Sequence, residues 1–394
     1  MNISPHPKRT PLRKKKVHFP RFLCPLLISL GWLIFVQRDL WFLYRTNDVM
    51  TSFVNSFYLS SELIPEESEK CAICLWGLPR AFKAIVLPSL VRNVIEPNAK
   101  YNCDYFVHFH DLGFEPAGRS GAGGVVNASE IYLLQEKVEE VARNASMSVL
   151  PTVKFTSDTE ENFWNIYRDL MKKLRETKDE KGKLLYFPHK AGSYVFPSTM
   201  DNIVKMWHSI QSSWNLMQSF ENKGGLRYKQ VAMIRSDVLY ATPIDIYDVI
   251  DNRTVVVPGF ARYGVNDRMI YGPYNAVKIW ASTRFESLDK HVQLVKEKEY
   301  GFGMHSERFL QYTLFPQIRK DNYSIVEHES ICFLRARANN VVRLTDCDNN
   351  ALLTIPFKVM SHESKVKIIE NILGRSCHGT LYQKGVKVLN CAIP

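Results

Sequence analysis

Residues 230–240 read QVAMIRSDVLY, an apolar run that leads directly into Arg235-Ser-Asp237. An apolar run of this length with a polar end is typical of a buried strand. In open α/β sheets, ligands bind at the carboxyl ends of the strands. A carboxylate there can hold a divalent metal ion that bridges a diphosphate, and Arg235 can offset phosphate charge or fix the carboxylate. Alternatively, Asp237 caps the turn after the strand and Arg235 pairs with a neighbour.

Apolar segments with strand and helix periodicity alternate on both sides of this run. We expect strands at 72–76, 104–109, 153–155, 230–235 and 255–258, and helices at 80–95, 129–144, 158–190, 198–221, 275–283 and 307–314. Such alternation predicts an α/β fold with a mainly parallel central sheet flanked by helices.

The N-terminal region has the pattern of a membrane anchor. Seven of the basic residues lie in positions 1–21, which contain no acidic residue, and an uncharged run, FLCPLLISLGWLIFV, follows at 22–36. Spanning a bilayer takes roughly 20 residues, so we expect one transmembrane helix over 22–44. The tail accounts for most of the net charge of +11, and the body is therefore not expected to bind nucleic acid.

The basic tail predicts the orientation of this anchor. Lys and Arg next to a span stay in the cytosol, which places the C-terminal part in the lumen of the Golgi or endoplasmic reticulum as a single-pass type II protein. Four glycosylation sequons follow the span, at Asn127, Asn144, Asn252 and Asn322. A cleaved signal peptide and a mitochondrial presequence are the alternatives. The first lacks a small-residue cleavage site, and the second fits poorly with the strongly apolar run.

Cysteine use agrees with an oxidising compartment. Seven cysteines follow the span, so some are expected to pair and at least one is left over. Cys71-Ala-Ile-Cys74 has the spacing of a redox pair or half a zinc site, but no second motif completes such a site.

The chain divides into five predicted regions. They are a cytosolic tail (1–21), the transmembrane anchor (22–44), a polar stem (45–69), a lumenal α/β domain (70–345) and a cysteine-containing C-terminal extension (346–394).

Two further polar clusters are candidates for chemistry. In Tyr263-Gly-Val-Asn266-Asp267, Asp267 could bind a hydroxyl group or serve as a general base, although Asn-Asp more often forms an Asx turn. Glu307 stands at the expected start of a helix, where the helix dipole favours a carboxylate without any catalysis. His108 and His110, near a strand end, could line the same cleft or be structural.

These motifs, taken in order, carry a resemblance to a known family. They are Gly77-Leu-Pro-Arg80-Ala-Phe82, Asp104-Tyr-Phe-Val-His108, Arg235-Ser-Asp237, Pro258 with Gly264-Val-Asn266-Asp267, Glu307 and Arg335. The set resembles a poorly characterised group of glycosyltransferases with a nucleotide-diphospho-sugar (GT-A-like) fold, over roughly residues 70–340.

The resemblance implies a binding site for a nucleotide-sugar donor. It puts the turn from Gly77 to Arg80 near the nucleotide and Asp237 near the diphosphate and its Mn²⁺ or Mg²⁺ ion. It also puts Asn266 and Asp267 on the donor or acceptor side. Such folds commonly carry Asp-x-Asp as the metal motif, whereas this chain has Arg235-Ser-Asp237. A single carboxylate is a weaker metal site, and Arg235 could supply the positive charge instead.

The implied reaction is transfer of a hexose to a hydroxyl of a glycan or glycoprotein. Asp267 or Glu307 would accept the proton of that hydroxyl if the enzyme inverts configuration. A non-catalytic glycan-binding or scaffolding relative is the main alternative. A sugar hydrolase would need two carboxylates about 5–10 Å apart across a cleft, and the sequence shows no such pair. Serine hydrolase and phosphate-loop motifs are absent from the sequence.

Overall fold

The computed structural model describes residues 70–117, 121, 123–189, 192–225, 227–298, 303–383 and 386–392. The predicted tail, anchor and stem (1–69) lie outside these ranges. None of the helices within the described ranges has the length and apolar character needed to span a bilayer.

The strands of the described chain belong to two larger sheets and one short hairpin. In chain order they are β1 (Lys70–Gly77), β2 (Asp104–His110), β3 (Phe114–Glu115), β4 (Gly124–Val125), β5 (Val153–Asp158), β6 (Tyr228–Arg235), β7 (Val238–Tyr240), β8 (Thr254–Pro258), β9 (Ile270–Pro273), β10 (Ser324–His328), β11 (Phe333–Arg337), β12 (Val341–Arg343), β13 (His378–Gln383) and β14 (Val386–Asn390).

The principal helices lie between these strands. They are α1 (82–101), α2 (Leu133–Asn144), α3 (Glu160–Glu176), α4 (Ser198–Gly224), α5 (Tyr274–Ser282), α6 (Leu288–Glu297), α7 (306–320), α8 (Pro356–Val359) and α9 (His362–Leu373). The expected α/β class is confirmed, since helices flank a central sheet that is mostly parallel.

The central sheet has the strand order β10-β8-β9-β6-β1-β2-β5. β1 pairs in parallel with both β2 and β6, β2 pairs in parallel with β5, and β8 pairs in parallel with β10. Among these described strands, only β9 runs antiparallel to its neighbours β6 and β8. The six other strands therefore end at one edge of the sheet, and β9 begins there.

Both faces of this sheet are covered, which explains the continuous apolar strand sequences. In β1, Cys71, Ile73 and Leu75 belong to one hydrophobic core. The alternate residues Cys74 and Trp76 belong to a second core on the opposite face. The long helix α4 packs in this second core against β1 and β2.

A smaller antiparallel sheet, with the order β13-β14-β12-β11-β7, lies beside the central one. The chain leaves the central sheet at Arg235 and enters the smaller sheet at Val238, so Asp237 stands at the junction. Residues of the predicted C-terminal extension (346–394) supply β13, β14 and α9 to this part of the fold.

Several helical boundaries differ from the sequence expectation. The helix expected over 158–190 extends only over Glu160–Glu176, because the backbone is extended at Thr177. The helix expected to close before Pro97 continues to Tyr101, and the helix expected to end at 314 continues through Pro316. Before Pro88, Pro97 and Pro316, the preceding residue donates its N–H to the carbonyl five residues back. This wider turn relieves the clash of the proline ring with the carbonyl four residues back.

Another boundary that differs is the start of the helix expected from Ser129. Its first turn is a 3₁₀ turn, Ala128–Tyr132, and the α-helix α2 begins only at Leu133. Ser129 does not cap it, because its hydroxyl hydrogen-bonds the side chain of Asn127 instead.

Three disulfide bonds form among the described cysteines: Cys71–Cys103, Cys332–Cys347 and Cys377–Cys391. Cys74 is left free and buried, in agreement with the odd count. Cys71 is bonded to Cys103, so the Cys71–Cys74 spacing does not form a redox pair.

Candidate functional site

The strand order reverses at β1. From β1 the chain moves to β2 and β5 on one side, and β6 lies on the other side. In open α/β sheets, the crevice outside the carboxyl ends of the strands at such a reversal is the usual ligand site. Gly77 ends β1 and Arg235 ends β6, so the reversal brings two of the predicted residues together.

Gly77 allows the chain to turn closely past the end of β6. Its φ is +122°, and a Cβ atom there would lie 3.3 Å from Ser236 Oγ. Any other residue would be strained in this conformation. The Ser236 backbone N–H donates to the Trp76 carbonyl (3.0 Å), which joins the two strand ends.

Arg80, Arg235 and Asp237 form one ion cluster. Arg235 donates to both oxygens of Asp237 (Nε–Oδ1 2.7 Å, Nη2–Oδ2 2.9 Å), and Arg80 Nη1 donates to Oδ2 at 2.6 Å. Arg80 also holds Glu115 in a bidentate pair (2.7 and 2.6 Å). The two guanidinium groups therefore saturate a carboxylate that is 1% exposed.

Arg235 and Asp237 of this cluster are held in their charged forms by their neighbours. Burial opposes ionisation of Asp237, but Arg235, Arg80 and Arg337 outweigh it and hold the pKa of the carboxyl well below its usual range. Burial also opposes the charge on Arg235, yet Asp237 raises the pKa of Arg235 above its ordinary value. A metal ion on Asp237 would have to compete with two guanidinium groups already bound there.

The smaller sheet adds more arginines to the same junction. In β11, Arg335 pairs through Nε with Asp346 Oδ2 (2.9 Å), and Arg337 Nη1 lies 3.8 Å from Asp237 Oδ2. Burial first, and then Arg80 and Arg335, lower the pKa of Arg337 well below its ordinary value. Arg337 Nε has no hydrogen-bond partner among the described residues.

The predicted residues Asn266 and Asp267 lie in the loop before β9. Asn266 is fully buried and braces this loop, because its amide donates to the Phe260 carbonyl (2.6 Å) and its oxygen accepts the Arg268 N–H (2.8 Å). Asp267, at 8% exposed, lies where it interacts electrostatically with Arg235, Arg268 and Arg284. The start of β9 thus delivers a carboxylate to the arginine cluster.

Arg268 and Arg284 are buried cations with incomplete partners. Arg284 is 1% exposed and stacks on Trp280 (4.2 Å from its ring centroid). All three of its side-chain nitrogens, and Nη1 of Arg268, have no hydrogen-bond partner within the described ranges. Burial lowers the pKa of Arg284 to about 9 and that of Arg268 to about 10. Buried unpaired cations of this kind favour an anionic partner.

Three tryptophans lie beside Arg235 and Arg284. The Trp76 and Trp280 ring centroids are 6.5 Å apart, and the Arg235 guanidinium lies 5.0 Å from the Trp76 ring. Trp207 lies 5.9 Å from Arg284. The indole N–H groups of all three tryptophans have no acceptor in the described part of the chain. The apolar rings lower the local dielectric and strengthen any charge interaction made there.

Glu307 lies in the first turn of α7. One of its carboxylate oxygens is 3.2 Å from Nδ1 of His305. Gly264 (φ +111°) packs so closely on α7 that a Cβ atom would lie 2.9 Å from Arg308 Nη1. The start of α7 is therefore a neighbour of the loop that carries Asp267, while substrate contact by Glu307 stays a prediction.

A second polar group lies at the ends of β2 and β5. His108 Nε2 is 3.0 Å and His208 Nε2 is 2.6 Å from the same oxygen, Asp158 Oδ2. This His-Asp-His group could hold a metal ion. Burial lowers the pKa of His108 to about 3. Burial opposes ionisation of Asp158, but hydrogen bonds from both histidines lower its pKa overall.

Neighbouring residues complete this second group. His110 Nε2 lies 3.1 Å from the Lys205 carbonyl, and burial lowers the pKa of His110 to about 4. Both His108 and His110 therefore lie beside the carboxyl edge, and each has a hydrogen-bond partner in the fold.

An open groove of about 470 Å³ lies elsewhere, between α9 and the β13–β14 hairpin. Among its lining residues are His362, Glu363 and Lys367. The described residues that line this groove include no arginine and no tryptophan. Its strands β13 and β14 belong to the smaller sheet, whereas the reversal at β1 is in the central sheet. It does not share the chemistry of the carboxyl edge.

No protein-family model matches this chain, and no curated protein matches it significantly.

The structure thus brings Gly77, Arg80, Arg235, Asp237 and Asp267 to one edge of the sheet. Direct contact of Asp237 with a donor or a metal stays a prediction, and the burial of that carboxylate between two guanidinium groups weighs against it. The side chain of Asn266 hydrogen-bonds within its own loop, and contact of Asn266 with a donor stays a prediction.

Sequence reasoning missed several residues of the site: Asp158, His208, Arg268, Arg284 and Arg337. Arg268 directly follows Asp267, so the carboxyl-edge argument could have found it. The others come from separate segments with no motif spacing and needed the tertiary structure.

Proposed function

We propose that this protein is a membrane-anchored glycosyltransferase that transfers a hexose from a nucleotide sugar to a hydroxyl of a glycan or glycoprotein. The mostly parallel sheet agrees with the GT-A-like fold implied by the motif resemblance. The reversal of strand order at β1 supports a ligand site at the edge where those motifs meet.

One observation carries the proposal: buried arginines at this edge have N–H groups without partners. Arg268, Arg284 and Arg337 each leave at least one side-chain nitrogen unpartnered among the described residues. Ion pairs and electrostatic contacts join seven arginines and four carboxylates at this edge: Arg80, Arg235, Arg268, Arg284, Arg335, Arg337 and Arg343 with Glu115, Asp237, Asp267 and Asp346. The arginines therefore exceed the carboxylates by three positive charges. A diphosphate carries charge and acceptor oxygens suited to such a set.

The proposed chemistry is a displacement at the anomeric carbon. The acceptor hydroxyl oxygen attacks this carbon, and the bond to the donor phosphate oxygen breaks. The guanidinium groups stabilise the negative charge that develops on the leaving diphosphate. Asp267 accepts the hydroxyl proton, with Glu307 as the alternative base. Asp237 acts by holding Arg80 and Arg235 in place rather than by touching the donor.

A divalent cation is part of the proposal in a reduced role. Mn²⁺ or Mg²⁺ would reach the site with the donor phosphates, since Asp237 is already occupied by arginines. We therefore expect donor binding to persist in EDTA, with at most a modest gain from Mn²⁺.

The proposed compartment is the lumen of the Golgi or endoplasmic reticulum. The four sequon asparagines are exposed or partly exposed. Three disulfide bonds form in the described part of the chain, and disulfides persist in oxidising compartments. Both observations agree with the predicted type II orientation.

The deciding experiment uses the full-length chain purified in detergent. It is screened for release of UDP or GDP from a panel of nucleotide sugars, with and without Mn²⁺. We expect one donor to be turned over, and Asp267→Asn to lower turnover by about 100-fold or more while donor affinity is kept. Asp169→Asn, an exposed carboxylate on α3, is the matched control and should behave as wild type.

The second candidate function is non-catalytic binding of a nucleotide or glycan. The burial of Asp237 among arginines favours it, because the described residues around Asp237 present no open carboxylate pair as a metal site. Tight UDP or GDP binding without turnover of any donor in the panel would select this function. Absence of both binding and turnover would refute both.

A further inference from the structure

The second polar group, made of His108, Asp158 and His208, has the features of a built metal site. It is distinct from the arginine cluster and contains no arginine. His108 lies near the end of β2, Asp158 ends β5, and His208 lies in the middle of α4. Three separate elements thus direct nitrogen or oxygen atoms to one point, and these atoms all lie within 4.8 Å of one another.

Each histidine is oriented by a hydroxyl group on its far side. His108 Nδ1 is 2.8 Å from Ser209 Oγ, and His208 Nδ1 is 3.0 Å from the Tyr167 hydroxyl. Both Nε2 atoms are therefore left for the common centre at Asp158. Outer partners of this kind fix the ring orientation of metal-ligating histidines.

One of the two possible arrangements of hydrogens at Ser209 leaves the His108 Nε2 lone pair open to a cation at this centre. The Ser209 hydroxyl accepts the Gly77 N–H (2.9 Å) and is also placed to donate to the His108 carbonyl (3.2 Å). If the Ser209 hydroxyl donates its hydrogen to the His108 carbonyl, it has none left for His108 Nδ1. His108 Nδ1 must then carry the hydrogen of the contact with Ser209. His108 Nε2 is then a bare lone pair that faces the Asp158 carboxylate at 3.0 Å.

Two acceptors at that distance repel unless a positive charge lies between them. A metal ion satisfies all the contacts at once: His108 Nδ1–H donates to Ser209, Ser209 donates to the carbonyl, and both Nε2 lone pairs bind the ion.

From this hydrogen-bond pattern and ligand set we propose that His108, His208 and Asp158 bind one zinc ion, with water as the fourth ligand. Two imidazoles and one carboxylate suit zinc and similar transition metals better than Mg²⁺ or Ca²⁺, which prefer oxygen ligands. Aromatic rings close the site on the protein side, with Phe163 5.9 Å from the His208 ring.

The required adjustment is small. Ligands of a tetrahedral zinc ion lie about 3.3 Å apart for bonds of roughly 2.0–2.1 Å. The present separations of 3.0 and 2.6 Å must therefore open by about 0.3 and 0.7 Å. Asp158 can move that far because its side chain is 20% exposed, and the same opening admits the water ligand.

The zinc ion would organise the carboxyl edge without acting on the substrate. It would join β2, β5 and α4, and through Ser209 it would hold the Gly77 turn next to the arginine cluster. The site does not depend on the proposed transferase activity, and either proposal can fail alone.

The test is zinc stoichiometry of the full-length chain in detergent, measured by elemental mass spectrometry after loading with equimolar zinc and dialysis. We expect about one zinc ion per wild-type chain and none in Asp158→Asn or His208→Gln. The control His328→Gln alters a histidine whose Nε2 lies 3.3 Å from a single carboxylate, Asp248, and should keep its zinc.

Two further readouts keep the proposal falsifiable if a ligand variant fails to fold. Cobalt loaded in place of zinc should give the intense visible absorption of a tetrahedral site in the wild type. Tyr167→Phe, which removes only the hydroxyl behind His208, should weaken zinc binding about 10- to 100-fold in a chelator competition. A wild-type chain that loses its zinc on dialysis, or a Tyr167→Phe variant with unchanged affinity, would overturn the assignment.

Discussion

Replacement of Arg284 by methionine tests whether the buried cations serve a ligand or the fold. Methionine keeps much of the length and the apolar contact with Trp280 but removes the charge and all three unpartnered nitrogens. If Arg284 binds donor phosphate, the variant should lose affinity and keep or gain stability. If Arg284 is a structural residue, the variant should lose stability.

The expected magnitudes follow from burial and stacking. Burial lowers the pKa of Arg284 to about 9, and this departure from its ordinary value corresponds to roughly 5 kcal/mol of disfavoured charge. Cation–π stacking on Trp280 offsets about 2 kcal/mol of this. The free energy of unfolding of the variant should therefore exceed the wild-type value by about 1–3 kcal/mol. Loss of a charged hydrogen bond to phosphate should weaken nucleotide binding about 10- to 150-fold.

The assay is isothermal titration of UDP and GDP together with thermal unfolding of the same samples. Arg143→Met is the matched control, because Arg143 is an exposed arginine on α2. Its stability should stay within about 0.5 kcal/mol of the wild type, and its nucleotide affinity should not change. A lower unfolding temperature with unchanged nucleotide affinity in the Arg284→Met variant would refute the reasoning.

Three further predictions concern the fold and its compartment. Because burial lowers the pKa of His291 from 6.5 to about 4, the unfolded state binds more protons between these values, and the free energy of unfolding should fall as pH drops from 6.5 towards 4. Urea titrations at several pH values should show that the free energy of unfolding of His291→Gln depends less steeply on pH, by about 1.4 kcal/mol per pH unit. An unchanged slope would contradict the lowered pKa of His291. Cys103→Ser opens the Cys71–Cys103 bond, which joins residues 32 positions apart, and should cost about 3–4 kcal/mol in urea unfolding; a loss below about 1 kcal/mol would contradict it. The sequons should make the chain from a eukaryotic host shift to lower mass with an N-glycosidase, and the absence of any shift would argue against a lumenal location.

The sequence predicted most of the central sheet because its strands are buried on both faces. β1, β2 and β6 are largely apolar runs, and such runs are recognisable without knowledge of their partners. The short strands β7, β9 and β11 were not predicted. Each has only three to five residues, and each depends on pairing with a distant segment rather than on a local pattern.

The candidate site likewise contains residues that the sequence predicted and contacts that it did not predict. The carboxyl-edge argument predicted a site at Arg235 and Asp237, and the family resemblance implied that Gly77 lies near the same donor. The fold brings them together because parallel strands end at one edge of a sheet. Asp267 reaches that edge because β9 runs antiparallel and begins there. The sequence did not reveal that Asp237 would be closed off by two arginines, since Arg80 lies 157 positions away in the chain.

What the sequence determined by itself was local: the apolar periodicity, the strand ends that carry polar side chains, and the expectation of an anchor and of an odd cysteine. Tertiary structure alone decided which charges meet. It paired Asp237 with Arg80, stacked Arg284 on Trp280 beside Trp207, and placed His208 against Asp158. The physical reason is that electrostatic and metal-ligand interactions depend on separation in space, and the fold joins positions that are far apart in the chain.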